Sequence, residues 1–87
     1  MTTINEFLPA LSERARNIII RMSEHGYNYR LNKVFYTVKP INRDADIMDA
    51  FGNLTKKRLG FEEACGAKTV EEIAKQFAKH GLNIKDK

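Results

Sequence analysis

The sequence has little that could support a disulfide framework, a membrane span or a targeting segment. Cys65 is its only cysteine, so no disulfide can form within the chain, whereas small secreted domains usually carry paired cysteines. The longest aliphatic run, Ile18–Ile20, is far too short to span a bilayer. The first residues show neither the basic region nor the apolar run of a signal peptide. We therefore expect a cytoplasmic protein that does not bind membranes.

Motifs that carry catalysis or bind metals are also missing. The chain has no glycine-rich phosphate loop, and one cysteine with two scattered histidines is not a zinc pattern. His25 and His80 each precede a glycine that ends a predicted helix, where an imidazolium would complement the helix dipole. We expect a non-enzymatic protein without metal or cofactor. A metal-independent ribonuclease, which needs no sequence motif, is the enzymatic alternative.

Proline and glycine are too scarce to form a linker. The chain has only two prolines and five glycines in 87 residues, and 43% of its residues are hydrophobic. That composition is typical of an ordered globular protein, and the length allows only one hydrophobic core. We therefore expect a single domain over residues 1–87.

One stretch of this basic protein contains no acidic residues. The formal net charge is +4, and no Asp or Glu occurs between Glu24 and Asp44. Lysines and arginines interleave with aromatic residues in this gap. Its members are Tyr27, Tyr29, Arg30, Lys33, Phe35, Tyr36, Lys39 and Arg43.

The apolar pattern predicts a long N-terminal helix from Pro9 to His25. Proline suits a first helical turn, and Gly26 supplies a left-handed stop. A competing start at Thr3, with Glu6 completing a capping box, would put Pro9 in the helix interior unless a separate short turn comes first.

Residues 27–38 predict a β-hairpin that turns at Asn32 and Lys33. Val34–Val38 is a run of β-branched and aromatic residues, which fit a strand better than a helix, although lysine is a poor second turn residue. Apolar residues in the same stretch also recur at helical spacing, at positions 31, 34, 35 and 38. The hairpin makes the fold α+β, and the alternative is an all-α bundle.

Two further helices are expected in the C-terminal half. The third element starts near Asp44 or Asp46 and ends at Gly60. In the last helix Thr69 and Glu72 form a capping box, and Gly81 ends it with Leu82 folding back. The expected core is Leu11, Ala15, Ile18, Met22, Val34, Val38, Ile47, Phe51, Leu54, Ile73 and Phe77.

The acid-free stretch predicts a module that binds nucleic acid, with RNA or single strands expected. Tyrosines on a strand can stack with unpaired bases while neighbouring cations neutralise phosphates. Lys56, Lys57 and Arg58 would point in three directions from a helix, so they do not make one patch. The predicted site residues are Tyr29, Arg30, Lys33, Tyr36, Lys39 and Arg43, extended by Arg14 and Arg21 on the first helix.

The same basic surface also fits a protein partner. An inhibitor or antitoxin-like factor, of the kind that mobile elements encode against a host or toxin protein, would use it against an acidic surface. Ile20 lies on the polar side of the first helix, which raises the expectation of a homodimer.

Overall fold

A computed structural model describes residues 2–62 and 65–86 and confirms an α+β domain. In that part of the chain, five helices surround one core and a two-stranded antiparallel hairpin extends from them. The elements are α1 (Ile4–Phe7), a 3-10 turn (Leu8–Ala10), α2 (Glu13–His25), β1 (Tyr27–Leu31), β2 (Val34–Val38), α3 (Ile47–Phe51), α4 (Lys56–Leu59) and α5 (Ala67–Lys79).

The N-terminal segment contains two helices where one was predicted. Thr3 and Glu6 form the capping box of α1, and Pro9 lies in the 3-10 turn that follows. Ser12 then adopts an extended conformation and caps α2. The prediction of a helix from Pro9 is therefore wrong at its start, because the competing start at Thr3 is used and the chain needs a break to accommodate the proline.

The hairpin prediction is confirmed, and the all-α alternative is wrong. Strand β1 pairs with β2 so that Tyr29 faces Tyr36 and Arg30 faces Phe35. Asn32 and Lys33 have φ angles of 52° and 67°, as the two central residues of a type I′ turn require. This turn twists in the same sense as the strands that it joins.

The single helix predicted from near Asp44 or Asp46 to Gly60 is wrong, because the chain forms two short helices there. Asp46 caps α3 as predicted, but that helix ends at Phe51. A second cap at Thr55, whose hydroxyl accepts a hydrogen bond from the Arg58 N–H, starts α4. The break allows Leu54, between the two helices, to remain buried in the core.

The final helix begins earlier than predicted and ends as predicted. It starts at Ala67 after Gly66, so the capping box at Thr69 is wrong. At the other end, the Gly81 N–H donates to the Ala78 carbonyl and the Leu82 N–H donates to the Phe77 carbonyl. Leu82 is buried, so both parts of the Schellman motif are present.

Stacked aromatic rings occupy the centre of the core. Phe7 stacks on Phe77 with 4.6 Å between ring centroids, Phe77 contacts Phe51, and Phe51 stacks on Tyr27. Every predicted core residue outside the hairpin is buried, but Val38 is only partly buried and the prediction for Val34 is wrong. The buried residues that the prediction missed include Ile4, Phe7, Leu8, Ile19, Tyr27, Leu59, Val70 and Leu82.

Ile20 is partly buried against this core. The part of the homodimer expectation that rested on Ile20 is therefore weakened. Self-association stays a prediction.

Candidate functional site

The strand alternation divides the predicted site residues between two faces of the hairpin. Tyr29 and Tyr36 are cross-strand partners on the face that packs toward the body. Arg30 and Phe35 are partners on the opposite face, where the Arg30 guanidinium carbon lies 5.5 Å from the centre of the Phe35 ring. The tyrosines and Arg30 therefore do not share one surface.

The two tyrosines continue the aromatic stack of the core. Tyr27 contacts Tyr29, and Tyr29 stacks on Tyr36 with centroids 5.3 Å apart. The Tyr29 hydroxyl also accepts a hydrogen bond from the Asn53 side-chain amide. Tyr29 is half-buried and Tyr36 is 43% exposed. Tyr29 thus serves the packing of the hairpin on the body, and Tyr36 covers its outer side.

The remaining predicted cations lie apart from the turn. Lys39 follows the other end of β2, about 20 Å along the strand from Lys33. Arg43 is held beside α1, because its carbonyl accepts the Asn5 N–H. Arg14 is exposed on α2, and Arg21 is partly buried on the same helix. Their roles in binding stay predictions.

A basic cleft forms instead between the tip of the hairpin and α4. It is open to solvent and has a volume of about 520 Å³. The hairpin contributes Arg30, Asn32 and Lys33, and the opposite wall consists of Thr55, Lys57, Arg58 and Phe61. A volume of this size is in the range of small-ligand sites, so the cleft has room for a nucleotide unit.

Arg58 holds the two walls of the cleft together. Its Nε donates a hydrogen bond to the Asn28 carbonyl on the outer edge of β1, and its guanidinium carbon lies 5.8 Å from the Tyr27 ring centre. Its Nη1 lies 2.7 Å from a Glu62 carboxylate oxygen. Arg58 is therefore engaged in structural contacts and its charge is partly neutralised.

Three other cations of the cleft have no acidic partner in residues 2–62 and 65–86. Within those ranges, no carboxylate oxygen lies within 4.0 Å of Arg30, Lys33 or Lys57. Lys56 points away, toward Glu71 and Asp86, and the hydrogen bond with Asp86 is the main cause of its raised pKa. Apart from Arg58, the cations of the cleft thus carry positive charge that no carboxylate among residues 2–62 and 65–86 neutralises by direct contact.

An exposed phenylalanine adds an apolar surface at the cleft. Phe61 follows α4 and is 72% exposed. An aromatic ring beside unpaired cations is the combination that single-stranded nucleic acids recognise, because bases stack on the ring while phosphates meet the charges.

Lys33 occupies a backbone conformation that favours glycine. Its φ of 67° places it in the left-handed region, where a side chain costs about 1–2 kcal/mol. Asn-Gly is the preferred sequence for this turn. Strain of this kind is concentrated at functional sites, where the side chain is needed for a purpose other than stability.

The sequence identified two of the seven residues that line this cleft. Arg30 and Lys33 are in the predicted set, whereas Lys57, Arg58 and Phe61 are not. Lys56, Lys57 and Arg58 do diverge as expected, but the turn of the hairpin brings Lys33 toward Lys57. A local sequence pattern cannot predict a contact between two segments as far apart in the chain as those of Lys33 and Lys57.

The rest of the described chain offers little for chemistry. Burial raises the pKa of the Cys65 thiol, which makes it a poorer nucleophile at neutral pH.

None of the helices in the described ranges has both the length and the apolar character that crossing a bilayer requires. No protein-family model, curated protein or solved structure matches this chain.

Proposed function

We propose that this protein is a small non-enzymatic module that binds single-stranded nucleic acid in the cleft between the hairpin tip and α4. RNA is the ligand that we expect it to prefer. The observation that carries the proposal is the convergence of Arg30, Lys33 and Lys57 beside the exposed Phe61. RNA is the expected ligand because sequence-reading contacts to RNA are made mostly in single-stranded loops and ends, whose bases are free to stack.

The roles divide by chemistry. Lys33 and Lys57, on opposite walls, neutralise successive phosphates of the bound strand. Phe61 stacks on a base, and Asn32 presents an amide that can donate to and accept from a base edge. Arg30 lies over Phe35 and extends the positive surface to the outer face of the hairpin.

The decisive experiment uses Lys33→Gly. Glycine relieves the left-handed strain at the turn, so we expect the free energy of unfolding to rise by about 1 kcal/mol. The same change removes a phosphate contact, so affinity for a labelled uridine oligonucleotide of about ten nucleotides falls and the salt dependence flattens by about 0.7 in log–log slope. A variant that is more stable and binds less cannot owe its loss to unfolding.

Two further variants separate charge from stacking. Lys57→Gln should flatten the salt dependence by the same amount, and Lys79→Gln, at the end of α5, is the matched control with affinity near that of the wild type. Phe61→Ala should cost about 1–3 kcal/mol of binding with the slope unchanged. Fluorescence anisotropy against salt concentration measures both effects.

The result that contradicts the proposal is equal binding by the wild type, Lys33→Gly and Phe61→Ala, with all three folded. Binding that Lys79→Gln weakens as much as Lys57→Gln would equally count against the cleft, because it would reflect net charge alone. A duplex of the same length and the corresponding single-stranded DNA define which nucleic acid is preferred.

A further inference from the structure

The outer strand of the hairpin is uncharged, apolar and exposed. β2 consists of Val34, Phe35, Tyr36, Thr37 and Val38, and only Val38 among them is partly buried. Val34 is 50% exposed and Phe35 is 75% exposed, on opposite faces of the hairpin. A two-stranded hairpin is marginal on its own, and apolar residues exposed on both of its faces are a surface that a further strand could cover.

The free edge of β2 also presents backbone groups to a partner. In a hairpin with a two-residue turn, alternate residues direct their N–H and C=O groups outward, and here these are Phe35 and Thr37. On the other edge, the corresponding carbonyl of Asn28 is bonded by Arg58. Within the described residues, no hydrogen bond is found for the outward groups of Phe35 and Thr37. One outward carbonyl of β1 is thus bonded by the protein, whereas the outward groups of β2 are open.

The positive charges at the two ends of β2 favour an acidic partner strand over a second copy of this chain. Lys33 precedes the strand and Lys39 follows it, both exposed. If a second copy paired antiparallel about Tyr36, each Lys33 would face a Lys39 of the other copy, and like charges directly opposite destabilise a pair of strands. An acidic strand of another protein would instead place carboxylates opposite both lysines.

We propose that the free edge of β2 docks an extended segment of an acidic protein by strand addition. Backbone hydrogen bonds to Phe35 and Thr37 hold the segment, and acidic residues about six positions apart meet Lys33 and Lys39. Val34 and Tyr36 pack against apolar side chains of the segment on one face. The lysines that oppose pairing of β2 with itself thereby also define its partner. This proposal does not depend on nucleic-acid binding in the cleft.

The test uses two synthetic peptides with the same alternating core. One is Glu-Val-Thr-Val-Thr-Val-Glu, and the other has lysine at both ends. Amide NMR spectra of the whole protein, titrated with each peptide to millimolar concentration, should show shifts and slowed exchange at Phe35 and Thr37 with the acidic peptide. The basic peptide should bind about tenfold more weakly.

A proline variant tests the backbone contact itself. Thr37→Pro removes an outward N–H that takes no part in the β1–β2 ladder, so docking should be lost while the Tyr29 and Tyr36 amides stay protected. Thr37→Val keeps the N–H and should dock like the wild type. Lys39→Glu leaves one cation and one carboxylate at the ends of the strand, so it should abolish the preference between the two peptides; this keeps the charge argument testable if the proline variant fails to fold.

Four outcomes overturn the proposal. They are equal affinity for the two peptides, no shift at Phe35 and Thr37 at millimolar peptide, shifts confined to residues 30–33 and 57–61, and a doubled mass of the free protein with these amides already protected. The third outcome would place the peptide in the cleft, and the fourth would make a second copy the occupant of the edge.

Discussion

The helical body and the hairpin differ in how deeply they bury their aromatic side chains. In the body, Phe7, Phe51 and Phe77 are fully buried and touch one another. In the hairpin, burial decreases from Tyr27 through Tyr29 to the 43% exposed Tyr36, although the rings remain in contact. The contacting aromatic rings thus form one line from the buried Phe7 to the partly exposed Tyr36. The inner rings therefore stabilise the fold, whereas the ring at the outer end is accessible to solvent.

The largest expected effect contrasts two phenylalanines. Phe77→Ala empties a site at the centre of the core, so we expect a loss of about 3–5 kcal/mol from a total of about 4–13 kcal/mol for a chain of this length. Phe35→Ala, in the open hairpin, should change stability by less than about 0.5 kcal/mol. Urea unfolding followed by circular dichroism measures both. A loss above about 2 kcal/mol for Phe35→Ala would contradict the view that this ring contributes little to stability.

The next effect concerns Gly26, where the body meets the hairpin. Its φ is +72°, and an added Cβ would lie only 2.2 Å from the Val38 carbonyl oxygen. Gly26→Ala should therefore combine strain with a backbone clash and cost well over 1 kcal/mol. Gly81→Ala is the matched control, because its φ is +87° but no atom lies near the added Cβ. Equal losses in thermal unfolding would mean that the clash relaxes freely.

A smaller effect tests how the helices of the body are joined. The Glu72 carboxylate accepts hydrogen bonds of 2.7 and 2.8 Å from the Ser12 N–H and hydroxyl, at the start of α2. Glu72→Ala should cost about 1–2 kcal/mol by leaving this helix start without its anionic partner. Glu71→Ala, which removes only an exposed ion pair, should cost less than about 0.5 kcal/mol. Similar values for the two variants in urea unfolding would contradict the assignment.

The smallest effect separates Tyr27 from the outer tyrosines. Its hydroxyl donates to the Ala50 carbonyl at 2.6 Å, so Tyr27→Phe should cost about 1 kcal/mol at neutral pH. Burial raises the pKa of Tyr27 from 10.0 to about 12. The folded protein therefore binds more protons than the unfolded chain between these pH values, and stability present below pH 10 is lost as the pH rises to 12.

Thermal unfolding from pH 8 to 12 measures this dependence. Tyr27→Phe should flatten the fall in stability between pH 10 and 12, because the group that titrates is gone. A fall in stability that Tyr27→Phe leaves unchanged would contradict this assignment.

Local signals predicted those parts of the fold in which a few adjacent residues decide the outcome. The strand composition of Val34–Val38, the turn at Asn32 and the helix end at Gly81 and Leu82 are all confirmed. The helix starts at Pro9 and Thr69 are wrong, because Thr3, Ser12 and Gly66 offer competing starts a few residues away. Choosing between neighbouring caps depends on which apolar residues find a core.

Local sequence was enough to predict the α+β class, the hairpin with its turn, and the concentration of basic charge in an acid-free stretch. Strand propensity, turn chemistry and charge are properties of consecutive residues, so they can be read from consecutive letters. Which side chains share a surface depends instead on how distant segments pack together. Arg30 was separated from Tyr29 by the strand alternation and brought to Lys57 and Phe61 by packing, because a cleft depends on distances between segments that are remote in the chain.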